Sequence, residues 1–162
     1  MSPSRHKNPI PTVDVIIEHN SRILMIRRKY EPYKGSLALP GGFVNEGERI
    51  EDAARREAKE ETSLNIGLRD ILGVYSDPRR DPRGHLMSTV FVGIIPADNN
   101  TDPGQASARD DAAKIEWTNL EDFDSTNIAF DHKRILFDYK TWKLCGGTFW
   151  SSKDGPTLVP FE

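Results

Sequence analysis

Cysteine is almost absent: Cys145 stands alone, which excludes an intrachain disulfide and a multi-cysteine zinc site. A reducing compartment is weakly favoured, since many secreted proteins also lack disulfides. Long apolar runs are missing too, and no stretch approaches the roughly 20 residues of a membrane-spanning helix. The opening MSPSRHKNPIP, residues 1–11, lacks the apolar centre of a signal peptide. A cytoplasmic protein with no membrane partner is the expectation. Basic residues are in slight deficit, 22 Lys and Arg against 25 Asp and Glu, for a net charge of −3. That balance does not suit a nucleic-acid backbone. It still allows an anionic small ligand where a metal supplies positive charge.

Repeats, low-complexity tracts and convincing linkers are also lacking, so the 162 residues suit one domain. Its core is expected over about residues 10–145, with a Gly/Ser/Pro-rich C-terminal extension over 146–162. Thr12–Glu18 and Ile23–Arg28 alternate as strands around a His19–Asn20–Ser21 turn and predict a hairpin. A short strand in SLALPGG ends at a Pro-Gly-Gly break. Ile50–Thr62 reads as a helix; Ile66–Ser76, Leu86–Pro96 and KIEWTNL (114–120) read as strands. Asp98–Asp111 has a surface-loop composition, and Asp131–Leu144 reads as a second helix. There Ile135, Leu136, Tyr139 and Trp142 recur at helical spacing and are expected to face the core. Strands outnumber helices without regular β-α-β alternation, which argues for an α+β fold with helices packed on a mixed sheet.

The densest chemistry lies in LPGGFVNEGERIEDAARREAKEETSL, residues 39–64. On a helix Glu57, Glu60 and Glu61 fall within an arc of about 100°. Like charges at that spacing destabilise a helix by a few tenths of a kcal/mol per pair unless neutralised. Arg55, Arg56 and Lys59 could neutralise them on a solvated face. A hard divalent cation would do so more strongly, because it prefers carboxylate oxygens and bridges to phosphates.

The spacing Gly42-x5-Glu48-x7-Arg56-Glu57-Ala58-x-Glu60-Glu61-x-Ser63-Leu64 closely resembles the Nudix hydrolase signature, G-x5-E-x7-R-E-U-x-E-E-x-G-U with U aliphatic. Every charged position is present. The resemblance implies a Nudix-type α/β/α sandwich with a mixed sheet. It implies hydrolysis of the pyrophosphate in a nucleoside diphosphate linked to another group, with Mg²⁺ as cofactor and Mn²⁺ as the alternative. By position, Glu57, Glu60 and Glu61 would be metal ligands, with a backbone carbonyl of the Gly41–Gly42 turn completing the shell. Glu48 and Arg56 would form a supporting ion pair, against the plainer reading of a surface pair. Two positions depart from the pattern. Ser63 replaces a glycine suited to a left-handed helix cap, and Ala58 is a small occupant of an aliphatic position. Dimers are common in the family, so a homodimer is a further expectation.

Val74–His85, VYSDPRRDPRGH, is by composition a turn-rich loop with three arginines, whose forks suit phosphate oxygens. A solvated hairpin tip is the alternative. The stretch resembles a loop of the ADP-ribose pyrophosphatase branch, and AFDHKRIL (129–136) resembles the opening of that branch's last helix. The implied reaction converts ADP-ribose and water into AMP and ribose 5-phosphate. Candidate substrate contacts are Asp77, Arg80, Asp81, Arg83 and His85, with Arg80 and Arg83 favoured for the anionic or terminal ribose half. Phe130 or Tyr75 could stack on adenine or pack in the core. For a general base the family's acidic residue before a tryptophan-containing strand maps to Asp111, with Asp110 and Glu116 behind it; loop capping is the alternative. Glu60 or Glu61 could instead activate the water.

Two competing functions remain at this level. One keeps the machinery but acts on ordinary or oxidised nucleoside triphosphates, NADH or dinucleoside polyphosphates. The other is a non-catalytic domain that senses ADP-ribose or a nucleotide; retention of the three glutamates weighs against it.

Overall fold

The computed structural model describes residues 6–98, 102–108 and 112–153. In chain order it holds β1 (Ile10–His19), β2 (Arg22–Arg28), β3 (Leu37–Ala38), β4 (Gly41–Phe43), α1 (Ile50–Thr62), β5 (Gly67–Tyr75), β6 (Leu86–Ile94), β7 (Ala112–Asn119), α2 (His132–Cys145) and β8 (Phe149–Trp150). The main strand order is β3-β2-β1-β6-β5-β8, with β4 also pairing β1 and β7 pairing β2. β1 runs parallel to β6 and antiparallel to β2 and β4. The sheet is therefore mixed, as the sequence pattern implies.

Successive β1 side chains point to opposite faces, and the two faces feed different cores. Val13, Val15 and Ile17 pack with Ala53, Ala54 and Ala58 of α1. Ile16 belongs to the other core, with Leu72, Tyr75, Val90, Ile135, Leu136 and Tyr139. The helices thus cover opposite sides of the strands, giving an α+β sandwich. Alanines on the buried side of α1 let that helix lie close to β1 and β4. Ala58 consequently completes the packing as a fully buried residue.

Expected elements recur within a residue or two, with three differences. The hairpin closes through Asn20 and Ser21, both left-handed, but its β1–β2 register is short, with Glu18 opposite Ile23 and His19 opposite Arg22. Beyond it β1 turns to β4 and β6, whereas β2 turns to β3 and β7. The Pro-Gly-Gly stretch is not simply a break, because Gly41 and Gly42 belong to β4 and lie opposite Asp14 and Val13. The expected extension also starts too early. Phe149–Trp150 forms β8 alongside Gly73 and Val74, and buried Phe149 joins the α2-side core. A two-residue strand is too short for periodicity to reveal. Ile135, Leu136 and Tyr139 are buried as expected, while Trp142 is half-buried against the same core. Among the described residues, no helix is long and apolar enough to cross a membrane.

Candidate active site

The site begins at the loop into α1. Gly47 takes φ +79°, a left-handed turn, and Asn45 donates its backbone N–H to Glu48 Oε2 at 3.0 Å. From the second turn of α1, Arg56 reaches back to Glu48 through Nε–Oε1 (2.7 Å) and Nη2–Oε2 (3.0 Å). Its Nη2 also donates to the Phe43 carbonyl at 2.9 Å, and its Nη1 to Glu57 Oε1 at 2.8 Å. One guanidinium therefore ties the entry loop, β4 and the helix together. The Arg56 bond, followed by the Asn45 N–H, holds the Glu48 carboxyl down at about 2.

The three glutamates have distinct surroundings. Glu61 is only 9% exposed and accepts the Gly41 N–H at 2.9 Å. Burial, with the negative charges of Glu57 and Asp14, pushes its carboxyl up to about 8 despite that bond. Burial also raises Glu57 above the ordinary carboxylate range, outweighing Arg56. Glu60 is exposed and meets Arg56 Nη1 at 3.2 Å. Both glycines lie in close approaches, against backbone at Gly41 and against the movable Glu57 carboxylate at Gly42. A Cβ at Gly42 would stand 2.5 Å from the Glu57 carboxylate, and one at Gly41 would stand 2.2 Å from the Val13 carbonyl oxygen.

Glu57, Glu61, Gly41 and Gly42 border a cavity of about 440 Å³, within the usual size of small-molecule sites. Asp14, Arg28, Phe43, Arg80, Asp81, Arg83, Phe130 and His132 also line it. A buried charge network stands behind this wall. Arg80 forms a two-pronged pair with Asp131 (2.9 and 2.7 Å) and has Asp14 Oδ2 at 3.8 Å. Asp14 accepts Ser88 Oγ at 2.5 Å and has His132 Nε2 at 3.4 Å. His132 Nδ1 accepts the Leu39 N–H at 3.0 Å, which leaves Nε2 as the ring nitrogen facing Asp14. Burial alone would raise the Asp14 carboxyl; His132, Arg80 and Ser88 together hold it below its ordinary value.

The NUDIX domain family model matches residues 8–139. The chain belongs to the Nudix family. An ADP-ribose pyrophosphatase of Methanocaldococcus jannaschii is 46% identical over 136 residues, covering 84% of this chain and 76% of that protein. An ADPR responsive transcriptional repressor, NtrR, of Acinetobacter baylyi is 29% identical over 139 residues, covering 82% of this chain and 54% of the repressor. Among solved structures, a bifunctional NMN adenylyltransferase/ADP ribose pyrophosphatase of Francisella tularensis, complexed with AMP and Mn ion, superposes with a TM-score of 0.72 at 29% identity. That match covers 89% of this chain and 44% of the other. The chain therefore spans about half the length of the last two relatives.

Nudix hydrolases generally use divalent metals, and the residues present fit one. Glu57 and Glu61 bring hard carboxylate oxygens to the cavity wall, where burial makes ionisation costly without a cation. Among the described residues, no three His, Cys, Asp or Glu side chains close around one point. Arg56 draws Glu60, and one oxygen of Glu57, towards itself.

The Nudix signature residues and the arginine loop do not contribute uniformly to the cavity. Arg80, Asp81 and Arg83 line it, whereas Asp77 and His85 are not among its lining residues. Asp77 instead receives the Arg79 backbone and side chain, and His85 Nε2 meets the Ser76 carbonyl. Arg80 is a buried bridge whose Nε and Nη2 are both engaged by Asp131. Exposed Arg83 is the arginine of the pair that faces solvent. Tyr75 is fully buried with its hydroxyl on Asp138, so it belongs to the core. Glu116 pairs with Arg27 on β2 (2.8 and 2.6 Å), away from the cavity lining. Asp110 and Asp111 lie outside the described residues. Sequence reasoning passed over Asp14 and Ser88. Asp14 did leave a signal: a charge inside the apolar strand TVDVIIE needs buried partners.

Proposed function

We propose that this Nudix hydrolase cleaves the pyrophosphate of ADP-ribose to give AMP and ribose 5-phosphate. The observation that carries this reading is the placement of Glu57 and Glu61 beside Gly41–Gly42 on a nucleotide-sized cavity. The 46% identical ADP-ribose pyrophosphatase supports the substrate. The signature and arginine-loop spacings continue in the same order through this chain.

Glu57 and Glu61 are the proposed ligands of a divalent ion, with Glu60 joining them when it leaves Arg56. A Gly41 or Gly42 carbonyl is the proposed further donor. The AMP- and Mn-bound relative makes Mn²⁺ a reasonable substitute for Mg²⁺. Once bound, such an ion polarises a phosphoryl oxygen and acidifies a water. Arg56 holds Glu57 and Glu48 in fixed register, so the carboxylates meet their load without searching rotamers. Arg83 brings a guanidinium to the cavity lining as a substrate contact, while buried Arg80 fixes the loop that carries it through Asp131. Asp111 remains the proposed general base, with Glu60 or Glu61 as the alternative. The proposed setting is cytoplasmic. A homodimer is proposed from the family resemblance, and exposed Val74 and Trp150, paired across β5 and β8, offer it apolar surface.

A substrate panel with Mg²⁺ tests the reading. ADP-ribose is expected to be turned over in preference to nucleoside triphosphates, NADH and dinucleoside polyphosphates, with AMP and ribose 5-phosphate as products. Pyrophosphate release from a triphosphate at a higher kcat/KM would displace it. The repressor relative favours a sensor as the second reading. Tight ADP-ribose binding with no products in Mg²⁺ or Mn²⁺ would decide for that one.

A further inference from the structure

We propose that Phe43, Arg83 and Phe130 form a stacking wall for the nucleobase at the cavity mouth, which fixes the direction in which the substrate lies. This rests on the proposed hydrolysis of a nucleoside diphosphate sugar and adds which end of that molecule goes where. Phe43 immediately follows Gly42, so alternate β4 residues divide the site. Gly42 abuts the Glu57 carboxylate, and Phe43 lies beneath the guanidinium of Arg83, 5.4 Å from its ring centre. Arg83 also lies 5.5 Å from the Phe130 ring centre. Its plane is fixed by Asp81, whose oxygens accept Nε at 3.0 Å and Nη2 at 2.8 Å.

Two features mark this as a built surface. Phe130 has φ +56°, and Tyr33, whose ring meets it edge-on at 4.9 Å, has φ +61°. Bulky residues rarely adopt that region, and such strain clusters at ligand clamps. The fold holds both rings there, with Arg28 over Phe130 at 4.9 Å. In addition, Phe43 remains 43% exposed on the cavity lining, an apolar face available to a planar partner. Purines stack on aromatic rings and on guanidinium planes, whereas a ribose phosphate has a saturated sugar ring and no π-face. The base therefore lies on this wall, and the pyrophosphate reaches past Gly42 to Glu57 and Glu61.

The test uses the full chain with Mg²⁺, comparing wild type with Phe43→Leu and Phe43→Tyr. Both products serve as competitive probes: AMP carries the base, and ribose 5-phosphate does not. Stacking on one aromatic residue corresponds to about five- to a hundredfold in affinity. Phe43→Leu is expected to raise the KM for ADP-ribose, and the inhibition constant for AMP, by such a factor. Inhibition by ribose 5-phosphate is expected to stay at the wild-type level, and Phe43→Tyr to restore the AMP constant. Equal weakening of both probes, or no change for AMP, would overturn the wall. If the wild type fails to hydrolyse ADP-ribose, the catalytic reading fails on its own. Equilibrium dialysis then decides the wall: AMP binding lost in Phe43→Leu and kept in Phe43→Tyr upholds it, and equal AMP binding by all three proteins overturns it.

Discussion

Glu48 shows how much of the site acts through one cation. Its carboxyl stands at about 2, against an ordinary 4.5, because Arg56 and the Asn45 N–H favour the charged form. A carboxyl depressed on folding contributes stability above its unfolded value, and that contribution is lost as pH falls through the folded one. Glu48→Gln is therefore expected to be less stable than wild type at pH 7. The gap should narrow as pH drops from about 4.5 to about 2. Urea unfolding at pH 7, 5, 3 and 2 measures it, and a gap that is constant with pH would show the pair to be inert. The Glu48–Arg56 pairing was legible in the chain because the signature spacing brings the two onto one helix entry. The unequal surroundings of the glutamates were not. A 100° arc gives angles around a helix, whereas the depth of Glu61 depends on β4 lying across it.

At the level of elements, the end of α1 explains the departure from the signature glycine. Ser63 takes φ +65°, as a glycine cap would, and its N–H bonds the Lys59 carbonyl. A serine there is unfavourable by about 1–2 kcal/mol. In return its Oγ meets Ser107 Oγ at 2.9 Å and donates to the Ser107 carbonyl at 3.2 Å, beside a Ser107 N–H to Thr62 carbonyl bond. Ser63→Ala keeps the strain and loses the clasp, so it is expected to lower stability by about 1 kcal/mol. Ser63→Gly loses the clasp and the strain together and is expected to unfold at higher urea than Ser63→Ala. Chemical denaturation of both variants checks the order; the reverse order would mean that backbone strain at Ser63 is negligible. Helix α1 and the longer strands could be read from periodicity and turn residues. β3 falls in the short strand read at SLALPGG, but β4 and β8 could not be read, because each has two or three residues and exists through its neighbours.

Across the whole molecule, Arg80 joins the loop between β5 and β6 to the start of α2, and Asp14 brings β1 to the same point. The chain shows three arginines in a loop but not which one is buried, since that depends on Asp131 arriving from 51 residues away. Asp131→Ala leaves the guanidinium of Arg80 with Asp14 as its nearest remaining carboxylate. The cost of a broken buried pair is about 3–5 kcal/mol, and the lower end is expected because Asp14 is 3.8 Å away. Calorimetric unfolding measures this; a loss under about 1 kcal/mol would mean that water reaches the pair.

The most direct test of the central claim is the initial rate of AMP release from saturating ADP-ribose, titrated with Mg²⁺ in wild type and in Glu61→Gln. Wild type is expected to depend on the metal with a saturating curve. Glu61→Gln is expected to lose about a hundredfold or more at every Mg²⁺ concentration. Equal rates in the two proteins, or wild-type AMP release that persists under excess chelator, would contradict a carboxylate metal site at Glu57 and Glu61.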